Sequence, residues 1–254
     1  MLCDAHLCSA GFYHRVSTLV FLLKKDVINM YERLELIYTK EQLNKIKNTN
    51  ILLVGVGGVG GSTLEALIRS GIQHITVIDK DTFEESNLNR QILSTKNNIG
   101  KSKVLEAQIR GLSINPHIDI KTYEMFLNES NINEIQDISK YDYIIDCCDT
   151  PNTKLLLIQT SIKYNIKIIS SMGTGFRNDP SKLYITNIWN TEYDPLAKKM
   201  RKLLKENKIN KKIPVLTSKE IPINKGKTIG SSYFVPNTAG IFIANYIFND
   251  IINK

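Results

Sequence analysis

Two acids, two asparagines and an arginine follow closely on a run of glycines. The stretch "ILLVGVGGVGG" (51–61) is succeeded by "DKDTFEESNLNRQ" (79–91). Gly55, Gly57 and Gly60 satisfy G-x-G-x-x-G between an apolar run and a helical pattern. Glycines so spaced let the main chain approach a phosphate, which a helix N-terminus binds through free N–H groups and its positive dipole end. The pattern predicts a nucleotide site and by itself leaves NAD, FAD and ATP open, with a tight structural turn as the alternative. Asp79 ends the second apolar run, where a ribose hydroxyl arrives or where a carboxylate merely caps a strand. Asp81 adds a second negative charge that hydride transfer does not use and that, near a triphosphate, positions a cation. Arg90 offers a rigid fork of donors to phosphate oxygens, and Lys103 adds a point charge. Nucleotidyl transfer needs such cations, because charge builds on phosphorus oxygens in its transition state. The competing reading has Arg90 and Lys103 pairing with Asp79, Asp81 or Glu84 on the surface.

Asp146 and Asp149 end another apolar run, at the strand edge where ligands bind in open parallel sheets. One of the two is a candidate magnesium ligand, since magnesium takes a carboxylate together with phosphate oxygens; Asp149 doubles as a helix cap. Cys147 and Cys148 are neighbours on a strand and point to opposite faces, so at most one faces the nucleotide, and both read as buried and inert. The histidines, His6, His14, His74 and His117, are scattered without metal spacing.

These groups need a frame. "ILLVG", "HITVID" (74–79), 118–123, "YDYIIDCC" (141–148) and "IKIISS" (166–171) read as strands, continuous and apolar as in a parallel sheet covered on both faces. Between them, 61–71 and 100–113 read as helices. A third helix opens with Thr150 as N-cap and Pro151 in its first turn. A single helix is expected over 31–47. The alternation predicts an α/β, Rossmann-like doubly wound and mostly parallel sheet. Its elaborated C-terminal half holds a strand at "KLYITNIWN" (182–190), a basic helix at 194–207, a strand at 213–218 and a closing helix at 235–252. The first 29 residues read as a poorly ordered extension ahead of Met30, and 30–254 as one domain.

The composition of the 254 residues, 42% hydrophobic and 23% charged, is that of a soluble globular chain. Its four cysteines form no C-x-x-C pair, which leaves a structural zinc site without ligands and fits a reducing cytosol. No apolar run approaches the roughly 18–20 residues of a membrane span. The net charge of +8 is concentrated: 198–212 carries eight Lys/Arg against one Glu, a local +7. Such a block suits a phosphate backbone, or is a solvated helix face.

Taken in order, "GVGGVGG", "DKD", "SNLNRQ", "GKSK", "INP" and "IDCCDT" resemble the ubiquitin-activating-like adenylyltransferases of the ThiF type. The resemblance implies that ATP and Mg2+ bind and that an acyl-adenylate forms on a carboxylate. It implies that Gly57 and Gly58 back the phosphates, with Gly55 and Gly60 in the same loop. Asp79 would hold the ribose, while Asp81, Asn89, Arg90 and Gln91 line the triphosphate. Lys103 would meet phosphate charge and Asp149 would hold magnesium; Arg90, Asp149 and Lys103 are thereby the catalytic candidates. Members that adenylate a sulfur carrier usually carry two zinc-binding C-x-x-C pairs, and thioester-forming members a later cysteine; this chain has neither. "RLELIYTKEQL", "DPLAKKMRKLL", "VLTSKEIPI", "GKTIGSSYFVP" and "NTAGIFIA" resemble instead the dehydratases that act on threonylcarbamoyladenosine in tRNA, with Arg33 in the matching place and Thr39 where a glycine is usual. That implies ATP-dependent cyclisation through a carboxyl-adenylate, tRNA as partner, a homodimer and a cytoplasmic location, and it leaves open a cysteine desulfurase system as partner. It also gives Lys198, Lys199, Arg201, Lys202 and Lys205 a role in holding tRNA. An adenylyltransferase for a ubiquitin-like sulfur carrier is the alternative.

Overall fold

The computed structural model describes residues 30–223 and 228–253; the extension expected over 1–29 lies outside them. The chain divides into two compact units, the first ending at Ile37. Of the first, the described part holds one turn of helix, α1 (Glu32–Glu35), on which Arg33 is exposed.

The second unit begins with α2 (Lys40–Asn48). The single helix expected over 31–47 is therefore two pieces. Thr39 restarts it: its hydroxyl accepts from the Gln42 amide and the Gln42 side chain accepts from the Thr39 amide, a reciprocal cap. Thr39 has φ −69°, so the position makes no demand for glycine.

Seven strands follow: β1 (Asn50–Val54), β2 (His74–Asp79), β3 (Asp119–Glu124), β4 (Tyr143–Asp146), β5 (Lys167–Ser171), β6 (Leu183–Asn187) and β7 (Pro214–Ser218), in spatial order β3-β2-β1-β4-β5-β7-β6. All pairings are parallel except β6 with β7. Between them lie α3 (Gly58–Arg69), α4 (Lys103–Ile114), α5 (Pro151–Tyr164) and α6 (Pro195–Glu206), and α7 (Phe234–Ile252) follows β7. The strand order reverses between β1 and β4, which opens a crevice at their carboxyl ends.

Alternation along β1 shows how the sheet is covered. Ile51 and Leu53 enter a core shared with α3, α4 and α7, whereas Leu52 and Val54 enter a second core built with α5 and α6; all four are buried. Burying each such side chain is worth about 1.5–3 kcal/mol. On α6 the pattern is one-sided: Ala197, Met200 and Leu204 are buried against the second core, and Lys198, Lys199, Lys202 and Lys205 face outward. Asp194 caps this helix by accepting from the Ala197 amide at 3.0 Å. β4 is shorter than expected, because the chain leaves the sheet after Asp146 to cross the crevice.

Candidate active site

The turn from β1 into α3 is shaped by two close approaches. Gly55 has φ +88°, and a Cβ there would stand 2.8 Å from the Cys147 carbonyl. A Cβ on Gly60 would lie 1.8 Å from the Gly55 oxygen. Only glycine fits either place. Gly57 caps α3 without any side-chain bond, so the first amides of the helix have no side-chain partner at the cap. A Cβ on Gly57 would meet nothing nearer than the Gln91 amide at 3.8 Å, which leaves its open side to a ligand. Gly58 answers to packing instead: its Cβ position is 3.1 Å from Pro236.

Around this turn lies a cleft of about 550 Å³ bordered by the ends of β1, β2 and β4, in the range of small-molecule sites. Gly55, Gly57, Asp79, Asp81, Arg90, Gln91, Lys103 and Asp149 all border it. Gly58, Gly60 and Asn89, expected there from sequence, do not. Asn89 turns away: its Nδ2 donates to the Ser231 carbonyl at 2.9 Å, and its Oδ1 accepts from Arg90 Nη1 at 2.9 Å. Asn87 borders the cleft in its place.

Asp79 ties the glycine turn to β2. Its Oδ2 accepts from the Val56 amide at 2.8 Å and its Oδ1 from the Asp81 amide at 2.9 Å. Lys103 is 6% exposed and puts its Nζ 3.2 Å from Asp81 Oδ2, so this much of the expected surface pairing is real, although the pair sits on the cleft wall. Among the described residues Arg90 pairs with no acid; its Nη1 donates to the Ser86 carbonyl at 2.6 Å and to Asn89, which holds the guanidinium at the rim. Gln91 is buried at 6% exposure, and its Oε1 has no hydrogen-bond partner among the described residues.

The two acids after β4 separate cleanly. Asp146 is fully buried and accepts from Lys154 Nζ at 3.1 Å on both oxygens, from Ser170 Oγ at 2.5 Å and from the Cys148 amide at 3.2 Å. It has no access to a ligand. Asp149 is exposed, borders the cleft, and among the described residues accepts only from the Thr150 hydroxyl at 3.3 Å. It does not cap α5, whose N-cap is Thr150 with Pro151 following. Lys154 was not legible as part of this cluster. Burial works against its charge, but Asp146 and the adjoining thiols outweigh that and raise its pKa above the usual 10.5.

Cys147 and Cys148 do pack on opposite sides, one against each core, yet both border the cleft because the chain crosses its floor there. Burial pushes the Cys147 thiol up to about 12 and the Cys148 thiol higher still, so neither is a thiolate at neutral pH. Met125, Phe126 and Leu127, beyond β3, form an apolar wall that no motif announced. Among the described residues no cluster of three or more His, Cys, Asp or Glu could hold a metal, and no helix is long and apolar enough to cross a membrane.

The basic helix is only partly as expected. Lys198, Lys199, Lys202 and Lys205 are exposed. Arg201 is half-buried and folds back, with its Nη1 donating to the carbonyls of Ile188 at 3.3 Å and Thr191 at 3.1 Å and to the Thr191 hydroxyl. It serves the packing of α6 and is withdrawn from the surface.

A turn that exposes helix amides, an acid at the next strand end and cations on the rim make a site for a nucleotide with its phosphates. Known proteins agree with this geometry. A Bacillus subtilis protein named tRNA threonylcarbamoyladenosine dehydratase is 33% identical over 244 residues, covering 89% of this chain and 96% of its own. The Escherichia coli tRNA N6-threonylcarbamoyladenosine dehydratase TcdA, solved in complex with ATP, superposes with a TM-score of 0.79 at 29% identity, over 85% of this chain and 91% of that one. The Saccharomyces cerevisiae adenylyltransferase and sulfurtransferase UBA4 is 37% identical over 144 residues, 57% of this chain and 32% of its own. A profile of the ThiF family matches residues 31–244, and the chain belongs to the ThiF family.

Proposed function

We propose that this chain is an ATP-dependent tRNA threonylcarbamoyladenosine dehydratase. The observation that carries the reading is the near full-length likeness to a protein of that name, 33% identical over 96% of its length. The cleft at the β1–β4 reversal supports it.

The threonyl carboxylate attacks the α-phosphate of ATP. A carboxylate-oxygen–phosphorus bond forms, pyrophosphate leaves, and the carboxyl is now activated as an acyl-adenylate. The carbamoyl group then attacks the same carboxyl carbon and loses a proton; AMP departs with the carboxyl oxygen and the ring closes. Arg90 and Lys103 stabilise charge on the phosphates, the amides of α3 bind them, and Asp79 orients the ribose. The apolar wall at Met125–Leu127 receives the base. Asp149, exposed on the cleft, would hold a Mg2+ accompanying ATP, which would offset charge on the phosphates. No enzyme nucleophile is required, which accords with two thiols kept protonated by burial. The exposed lysines of α6 hold tRNA phosphates. The same reading carries a homodimer, a cysteine desulfurase system as partner and the cytoplasm as compartment.

Adenylation of a sulfur-carrier protein is the second reading, favoured by the UBA4 match. That match spans 32% of UBA4, so most of that protein has no counterpart in it.

The test combines protein, ATP, magnesium and tRNA bearing threonylcarbamoyladenosine, followed by nucleoside mass spectrometry. A product lighter by one water, lost with Arg90→Ala, is expected. ATP consumption that responds to a diglycine-tailed protein and not to this tRNA would establish the second reading instead.

A further inference from the structure

Asn237 lies in the first turn of α7, far along the chain from every residue of the cleft, and is 5% exposed. Its amide joins three elements. The Oδ1 accepts from the hydroxyl of Ser62, on the first two turns of α3. The Nδ2 donates to the main-chain carbonyl of Arg90 at 2.9 Å and to the Tyr233 carbonyl at 2.5 Å. The preceding Pro236 fills the space beside Gly58, where an added Cβ would also come within 3.5 Å of the Arg90 carbonyl. A second tie runs from Asn89, whose side chain links the Ser231 carbonyl to the Arg90 guanidinium. The helix whose N-terminus faces the cleft and the segment bearing Arg90 are thus spaced by one buried amide, through a donor on one side and an acceptor on the other.

We propose that Asn237 is a positioning residue for phosphate binding: it sets the separation between the N-terminus of α3 and Arg90, so that both address the same phosphates. The proposal rests on the reading of Arg90 as a phosphate clamp. A carboxamide is the group this role needs, because it donates to a carbonyl and accepts from a hydroxyl at once. Aspartate has the same shape but no donor, and places its charge against the Arg90 carbonyl. The phosphates alone depend on this spacing. The ribose acid Asp79 is held by Val56 and Asp81 and makes no contact with Asn237.

Calorimetric titration of the full chain with ATP and, separately, with adenosine tests this. With Asn237→Asp, affinity for ATP is expected to fall about fivefold to tenfold, the size of one uncharged hydrogen bond, while affinity for adenosine stays as in the wild type. Added to Arg90→Ala, the same change is expected to cost nothing further, since coupled residues are not additive. Unchanged ATP affinity, or an equal fall for ATP and adenosine, overturns the proposal. If Asn237→Asp does not fold, Ser62→Ala releases the amide from α3 alone. It is expected to weaken ATP and not adenosine by a smaller factor, and wild-type ATP affinity in that variant overturns the proposal. Arg90→Ala binding ATP as tightly as wild type would refute the reading of Arg90 and the proposal with it. A loss with Arg90→Ala but not with Asn237→Asp sinks the proposal alone.

Discussion

The ammonium of Lys154 stands 3.1 Å from each oxygen of Asp146, and neither side chain reaches solvent. The pair lies directly beneath the loop that carries Asp149 into the cleft, because Asp146 also accepts from the amide of Cys148. A buried pair of this kind is expensive to break from one side only.

Lys154→Met is therefore expected to destabilise the fold by about 3–5 kcal/mol, the cost of leaving a buried carboxylate without its partner. Replacing both members, with Asp146→Leu added, recovers part of that loss. Thermal melts of the single and double variants check it. The folded pKa of Lys154 is raised above its unfolded value, so the stability contributed by its own ionisation is fully present below about pH 10.5 and is lost as pH rises through the folded value.

Glu65 contributes to stability on the acid side. Burial opposes its charge, but Arg110 and Arg69 more than compensate, and the carboxyl sits below its ordinary 4.5. Arg110 grips both oxygens, at 3.0 and 2.9 Å, so the acid fastens α3 to α4. A lowered folded pKa gives stability that is present above pH 4.5 and lost as pH falls through the folded value. Glu65→Gln is expected to be less stable at neutral pH and to show a flatter decline below about pH 4.5, measured by urea denaturation across that range.

The glycines of the turn should separate by function. Gly60→Ala forces a Cβ to 1.8 Å from the Gly55 oxygen and is expected to lower the melting temperature by many degrees or prevent folding. Gly57→Ala has open space around it, so the variant should melt within about 0.5 kcal/mol of wild type. Its ATP affinity, read by titration, should nonetheless fall at least tenfold, because the methyl occupies the side open to a ligand.

On α6, charge and packing are also separable. A triple variant with Lys198→Glu, Lys202→Glu and Lys205→Glu should weaken tRNA binding and make the slope of log K against log salt shallower. The change is roughly 0.7–0.9 for each phosphate that the variant no longer neutralises. Arg201→Ala should leave that slope unchanged and reduce stability, since its guanidinium serves Ile188 and Thr191. Filter binding across a salt series, with melts in parallel, distinguishes the two.

The sheet was readable because β1, β2 and β4 are apolar on both faces, and a continuous apolar run has few other uses. The glycine turn, Asp79 and Asp149 were readable because they follow directly on strand ends that open into the crevice, whereas Arg90 was readable from its motif and is held in place by Asn89 and Asn237. Asn89 was not, since its direction is set by Ser231, 142 residues downstream. Lys154 carried no signal: a lysine within a helix is ordinarily a solvent group, and only the fold puts Asp146 opposite it. The wall at Met125–Leu127 follows β3, an edge strand with one face partly open to solvent, whose weak pattern hides where it ends. Arg201 reads with its basic neighbours because composition does not report which side of a helix a residue occupies.

α7 lies so close on α3 that a Cβ on Gly240 would fall 2.3 Å from the Val59 carbonyl. The helix under the glycine turn is therefore roofed by α7, which lies far downstream in the chain. During translation the residues that border the cleft, 54–153, emerge from the ribosome long before α7 does. The nascent chain then displays an apolar face on α3 and a half-built cradle for as long as the ribosome takes to add about eighty more residues, at roughly 5–20 per second. A chain cut short ahead of α7 is therefore expected to leave that apolar face of α3 uncovered and to bind nucleotide less tightly.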